Sequence, residues 1–235
     1  MKKLKSFLST FSLGEKLLWS LSSMVILISF LIFDRVNYLT LAASLIGVTS
    51  LIFDAKGHHF GQLLMVAFSL LYGLISYRFA YYGEMITYLA MTAPMAVVAY
   101  VSWKKNPFGE GNTEVKVNRI SGAEHWFMWG LTVVVTGLFY FILDGFGTAN
   151  LIPSTISVAT SFVAVYLTFR RSPYYALGYA ANDIVLILLW ILASIENPTY
   201  ICVVVCFAAF LVNDCYAFIC WKRMERRQAI AAKLA

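Results

Sequence analysis

Charge is scarce in this chain. Of its 235 residues only 13% are Asp, Glu, Lys or Arg, against 60% hydrophobic, and the mean hydropathy is +0.75. A soluble domain carries roughly a quarter charged residues, so this composition implies a chain that crosses a membrane several times. Histidine is scarcer still, at three residues, and His58 and His59 are adjacent in a turn with Lys56. Those are too few for the many-histidine centres of membrane oxidases and desaturases; no metal site and no cofactor are expected. No G-x-S-x-G and no phosphate-cradling glycine loop occur. The four cysteines, Cys202, Cys206, Cys215 and Cys220, fall in one apolar segment. A single helix does not readily join its own thiols, so they read as small packing residues. No A-x-A-like site follows the basic start MKKLKSFLSTFSLGEKLL, so no cleaved signal peptide is expected.

What is present is long apolar runs. About 20 apolar residues cross a bilayer as a helix. Eight such spans are predicted, at 17–33, 37–53, 60–78, 84–103, 123–143, 150–169, 174–194 and 199–221. Eight crossings put both termini on one side. With that side cytoplasmic, 16 of the 18 Lys and Arg residues face inward and only Arg35 and Arg78 face outward, as the positive-inside rule asks. The net charge of +6 is thereby explained without a nucleic-acid partner. The one substantial loop, between spans 4 and 5, is too short for a domain.

The chain also repeats a plan. "LIFDAKGHH" at 51–59 matches "LTFRRSPYY" at 167–175, and "YVSWKK" at 100–105 matches "FICWKR" at 218–223. The offset is 116 at Phe53/Phe169 and 118 at Trp103/Trp221. The expected organisation is one all-α polytopic membrane domain: an extra helix (17–33), a first repeat (37–103), a linker helix (123–143), a parallel second repeat (150–221) and a cytoplasmic tail (222–235). Such three-plus-one-plus-three plans occur in small transporters, with the site between the repeats. Trp103 and Trp221, at span ends, read as interfacial anchors.

Polar residues inside the spans mark the candidate site, because ionisable groups in hydrocarbon are costly and usually functional. Span 7 places Tyr179, Asn182, Asp183, Leu186 and Trp190 on one helical stripe. Span 8 repeats the Asn–Asp pair as Asn213 and Asp214. Span 4 carries Glu84, Tyr88 and Thr92 at i, i+4, i+8, then Pro94, whose freed carbonyl something polar must satisfy. Amides and carboxylates suit ribose hydroxyls or a carboxamide, and aromatic faces with a nearby acid suit a flat cationic ring. The plain alternatives stay open. Asn side chains also bond neighbouring helices, Glu84 reads equally as a solvated residue near the outer surface, and Trp126 with Trp129 either joins the interfacial belt or covers the site. An intramembrane aspartyl protease would pair two aspartates, but no G-x-G-D occurs; "LDGFG" at 143–147 has the wrong order. No enzyme is expected.

The segments "YYGEMITYLAMTAPM" (81–95), "WKKNPFGEGNTEVKVNRIS" (103–121) and the run from Tyr174 through span 8 resemble the PnuC family of bacterial vitamin-precursor transporters. The resemblance covers nearly everything after the first span. It implies uptake of nicotinamide riboside across the bacterial cytoplasmic (inner) membrane by facilitated diffusion, with no ATP, no coupling ion, and trapping by cytoplasmic phosphorylation. It also implies a core like that of the sugar-carrying SWEETs but inverted in the membrane, and a homotrimer. Carried over by position, Asn182 matches the family's span-7 Asn, but Gly178 stands where the family has an aromatic residue, with Tyr179 the nearest ring. Tyr88 falls close to the family's span-4 glutamine, and Asn213 matches its span-8 Asn. Relatives on the same scaffold carry thiamine or riboflavin, and a sugar carrier is the remaining alternative.

Overall fold

The computed structural model describes residues 11–78, 81–109, 111–148 and 150–234; Lys2, Lys3 and Lys5 of the predicted inner face lie outside them. Among the described residues eight helices are long and apolar enough to span a membrane: α1 (Leu13–Phe33), α2 (Tyr38–Ala55), α3 (Phe60–Arg78), α4 (Tyr82–Lys105), α5 (Gly122–Gly145), α6 (Leu151–Phe169), α7 (Tyr175–Glu196) and α8 (Ile201–Leu234). The last helix runs on through the expected tail. Its extension holds helix formers, and Met224, Glu225 and Gln228 on it are buried.

Six helices close a ring. α2 packs on α3, α3 on α4, α4 on α6, α6 on α7, α7 on α8, and α8 back on α2. Each trio therefore touches the other twice, third helix against first. Small residues permit the close crossings: a Cβ on Gly47 would lie 2.3 Å from the ring of Phe210, and one on Gly178 would lie 2.8 Å from Cα of Ala164.

The two helices outside the ring are alike. α1 packs on α2 as α5 packs on α6. Both begin with Ser-x-x-Glu: Ser12 accepts from the Glu15 amide and Ser121 from the Glu124 amide, each at 3.2 Å, the N-cap role of serine. Glu15 then pairs with Lys56 after α2, and Glu124 with Arg170 after α6. The added helix and the linker thus begin and pair alike, although α1 also packs on α8; the sequence reading did not anticipate the likeness.

The equivalence is sharpest in the turns. α2 ends at Gly57 with φ +64°, and α6 ends at Arg171 with φ +58°. In each, the left-handed residue donates to a carbonyl three back (Asp54, Thr168) and the next residue donates to one five back (Phe53, Leu167), a Schellman closure. Asp54 therefore corresponds to Thr168, an offset two residues shorter than the Phe53/Phe169 match. Trp221 Nε1 donates to the Asp54 carbonyl (2.7 Å) and Trp103 Nε1 to the Thr168 carbonyl (2.8 Å). These tryptophans are not interfacial anchors. Both are fully buried, with ring centroids 5.2 Å apart.

The loop before α5 lies across this basic end. The Val115 amide donates to the Gly57 carbonyl and the Asn118 amide to the Arg171 carbonyl, both at 3.0 Å. Val115 is buried, and Gln228 of α8 donates to the Glu114 side chain (2.8 Å) and the Val115 carbonyl (3.0 Å).

Candidate functional site

α4 is not a regular helix. Thr87–Thr92 form a π turn between two α-helical pieces, just before Pro94. Proline lacks an amide and crowds the preceding turn, and one wide turn absorbs the mismatch. The Ala93 amide donates to the Tyr88 carbonyl five back, and the Thr92 hydroxyl to the Thr87 carbonyl at 3.3 Å. This turn carries two of the sequence-predicted site residues, Tyr88 and Thr92.

Both line a small cavity inside the ring, walled by all six ring helices. α4 gives Tyr88 and Thr92; α7 gives Tyr179, Asn182 and Asp183; α8 gives Asp214 with Phe207 and Phe210. α2, α3 and α6 add Leu51, Met65, Phe68 and Ser161. Its volume is about 20 Å³, room for about one water. Aromatic layers close it on both sides. Away from the basic end, Tyr72 meets Tyr88 at 4.5 Å and Phe207 at 5.4 Å between ring centroids, and Trp190 Nε1 donates to the Tyr72 hydroxyl at 2.6 Å. Towards the basic end, Tyr175 meets Trp221 at 4.9 Å, behind the Trp103 contact. The site is thus occluded.

Successive helical residues point about 100° apart, and this divides each Asn–Asp pair. Asn182 turns to α6, where its Oδ1 accepts from Thr160 (2.9 Å), Ser161 (3.0 Å) and Ser157 (3.3 Å). Asp183 turns to α8 and is hydrogen-bonded to the side chain of Asp214. Both acids are buried, and Asp183 Oδ2 and Asp214 Oδ1 have no partner. No Lys, Arg or His lines the cavity. The ion pairs found among the described residues, Lys56–Glu15, Arg119–Glu225, Lys222–Glu225, Arg170–Glu124 and Arg227–Glu114, all sit at the basic end.

Four expected site residues stand elsewhere. Asn213 faces α1, donating to the Ser22 hydroxyl (2.9 Å) and the Ala209 carbonyl (2.7 Å). Trp190 belongs to the aromatic layer above the cavity. Trp126 is 82% exposed on α5, where nothing brings it to the cavity. Glu84 is not solvated: it is 1% exposed, its carboxylate oxygens lack hydrogen-bond donors, and the hydroxyl of neighbouring Ser157 is already given to Asn182. Sequence reasoning missed the α6 hydroxyls, although Ser154, Ser157, Ser161 and Thr168 recur at helical spacing. It also passed over Asp54, buried in α2 with Gln62 Nε2 donating to it at 2.9 Å.

With this geometry in view, the comparisons are consistent. The family model described as nicotinamide mononucleotide transporter matches residues 37–223. The chain is 27% identical to the nicotinamide riboside transporter PnuC of Neisseria mucosa, over 84% of this chain and 77% of that protein. It is 21% identical to the Haemophilus influenzae protein of the same name, over 81% and 82% of the two chains. A crystal structure of the vitamin B3 transporter PnuC superposes with TM-score 0.82 over 93% of this chain and 94% of that one, at 24% identity, a likeness of fold. The family match over residues 37–223 places the chain: it belongs to the nicotinamide mononucleotide transporter family, that of PnuC, whose members are membrane transporters and not enzymes.

Proposed function

We propose that this protein takes up nicotinamide riboside by facilitated diffusion across the bacterial cytoplasmic membrane, with phosphorylation inside the cell trapping the product. The observation that carries the reading is the occluded polar cavity shared by both trios, with Asn182, Asp183, Asp214, Tyr88, Tyr179 and Thr92 on its wall. Hydroxyl, amide and carboxyl groups can hold a ribose and a carboxamide, and the tyrosines offer faces for a flat ring. The same wall argues against the phosphorylated mononucleotide. A phosphate would meet two acids and no basic side chain, where phosphate sites draw on arginine, lysine or helix N-termini.

At about 20 Å³ the cavity is far below the roughly 300 Å³ of an ordinary small-molecule site. Binding therefore requires the trios to separate. The α4 π turn and the two third-against-first contacts are where that separation is placed. The reading carries both termini on the cytoplasmic side, with the basic end inward, and a homotrimeric assembly.

Purified protein in liposomes, offered labelled nicotinamide riboside, nicotinamide mononucleotide, thiamine, riboflavin and glucose separately, tests this. Uptake of the riboside without the mononucleotide is expected. Movement of glucose or riboflavin alone would sink the reading.

A further inference from the structure

Two buried acids with no cation beside them need a reason to be there. Asp183 and Asp214 share a side-chain hydrogen bond, which requires at least one proton between them, since an ionised carboxylate only accepts. Each also keeps one buried oxygen without a partner, and both border the cavity. The titratable groups around them are Asp54 from α2, Tyr88 from α4, Tyr175 and Tyr179 from α7, and Cys206 and Cys215 from α8, with Glu84 reaching this set only through Tyr88. α3 and α6 present only Met65, Phe68 and Ser161 to the cavity. Nothing in that set is positive.

Resting on the transporter reading above, we propose that the Asp183–Asp214 pair is the seat for the positive charge of the ligand, uncharged when empty, and that it gives up one proton when an organic monocation docks. The charge balance is simple. An acid buried without a counter-charge stays neutral, because an isolated charge in a low-dielectric interior is costly. When a monocation enters, one proton leaves to solvent, the other stays in the carboxyl–carboxyl hydrogen bond, and the single negative charge offsets the ligand. The site is neutral before and after. Tyr88 and Tyr179 supply ring faces beside the acids, which favours a flat cation such as a pyridinium or thiazolium. Neutral vitamins and sugars draw nothing from the exchange. The pair titrates as a unit, so the released proton belongs to both residues.

The experiment is binding to the full-length protein in detergent, in weak buffer with an indicator dye, using nicotinamide riboside, thiamine and riboflavin as separate probes. One proton released per riboside bound is expected. Affinity should fall about tenfold for each pH unit of acidification wherever the empty pair holds both of its protons. The double variant Asp183→Asn/Asp214→Asn has no carboxyl proton to give and should bind weakly, with no proton release and a flattened pH profile. If that variant does not fold, the wild-type proton count alone decides. Riboside binding that is tight, releases no proton and does not change with pH overturns this inference while leaving the transporter reading standing. Tighter binding of riboflavin than of either cation overturns it too. No binding of any probe at any pH overturns both.

Discussion

The indoles of Trp103 and Trp221 meet with ring centroids 5.2 Å apart, and each ties its own trio of helices to the first helix of the other. Two hydrogen bonds related by the repeat thus hold the basic end shut beneath the cavity.

Trp103→Phe and Trp221→Phe keep a ring but remove the donor, leaving the Thr168 or Asp54 carbonyl short of a partner. Each carbonyl keeps the turn amide of Arg171 or Gly57, so each loss should cost about 0.5–1.5 kcal/mol, read as an earlier unfolding midpoint in detergent, and the two losses should be similar. Unchanged midpoints for both variants would show that this contact does not hold the closed end.

Asn182 and Asn213 should behave differently although the sequence presents them alike. Asn182→Ala strips the shared acceptor from Ser157, Thr160 and Ser161 and alters the cavity wall. Loss of about 1.4 kcal/mol or more of binding, tenfold in affinity, is expected. Asn213→Ala breaks the bond to Ser22 and should cost about 1 kcal/mol of stability with affinity unchanged. The reverse pattern, read by calorimetric titration, would move the site to the α1 side.

Gly178→Ala should destabilise by about 1–3 kcal/mol, since its Cβ would lie 2.8 Å from backbone at Ala164 and neither helix can shift freely. A larger ring at 178 should be worse. Tyr179→Ala should abolish ligand binding in a folded protein, whereas Tyr179→Phe should keep most of it. Full binding by Tyr179→Ala would remove that ring from the site.

Burial holds the imidazoles of His58 and His59 below the usual histidine range, with further lowering at His58 from His59 and Lys56, and at His59 from Lys104. The unfolded chain takes up these protons more readily than the folded turn does. Their contribution is therefore present above the ordinary histidine value and lost as pH falls through it and below. Both rings are partly exposed, so the effect is small. His58→Gln should lessen the acid-induced drop in unfolding midpoint relative to wild type; an identical pH profile would refute this.

Much of the fold was legible because lipid imposes it. Backbone polar groups in hydrocarbon must be satisfied within a helix, so span number and approximate ends follow from apolar length. The Trp-plus-basic endings suggest a repeated plan, in which Phe53 matches Phe169 because the residues agree. The turns show that Asp54 corresponds to Thr168, where the residues differ and the backbone hydrogen bonds agree. The Ser-x-x-Glu starts at Ser12 and Ser121 were a readable sign that α1 and α5 are alike.

The sequence by itself determined that this chain crosses a membrane eight times, which end gathers the basic residues, and that carboxyl and amide groups lie inside the spans. Only the tertiary structure decided which of them share a cavity. A helix turns its neighbours about 100° apart, so the two residues of each Asn–Asp pair meet different helices: Asn182 and Asp183 both border the cavity, whereas of the second pair only Asp214 does. Which residues reach the cavity depends on the rotation of each helix against partners distant in sequence. Asp183 and Asp214 meet because α7 packs on α8 within a closed ring, and Asn213 turns away because α1 offers Ser22 from outside it.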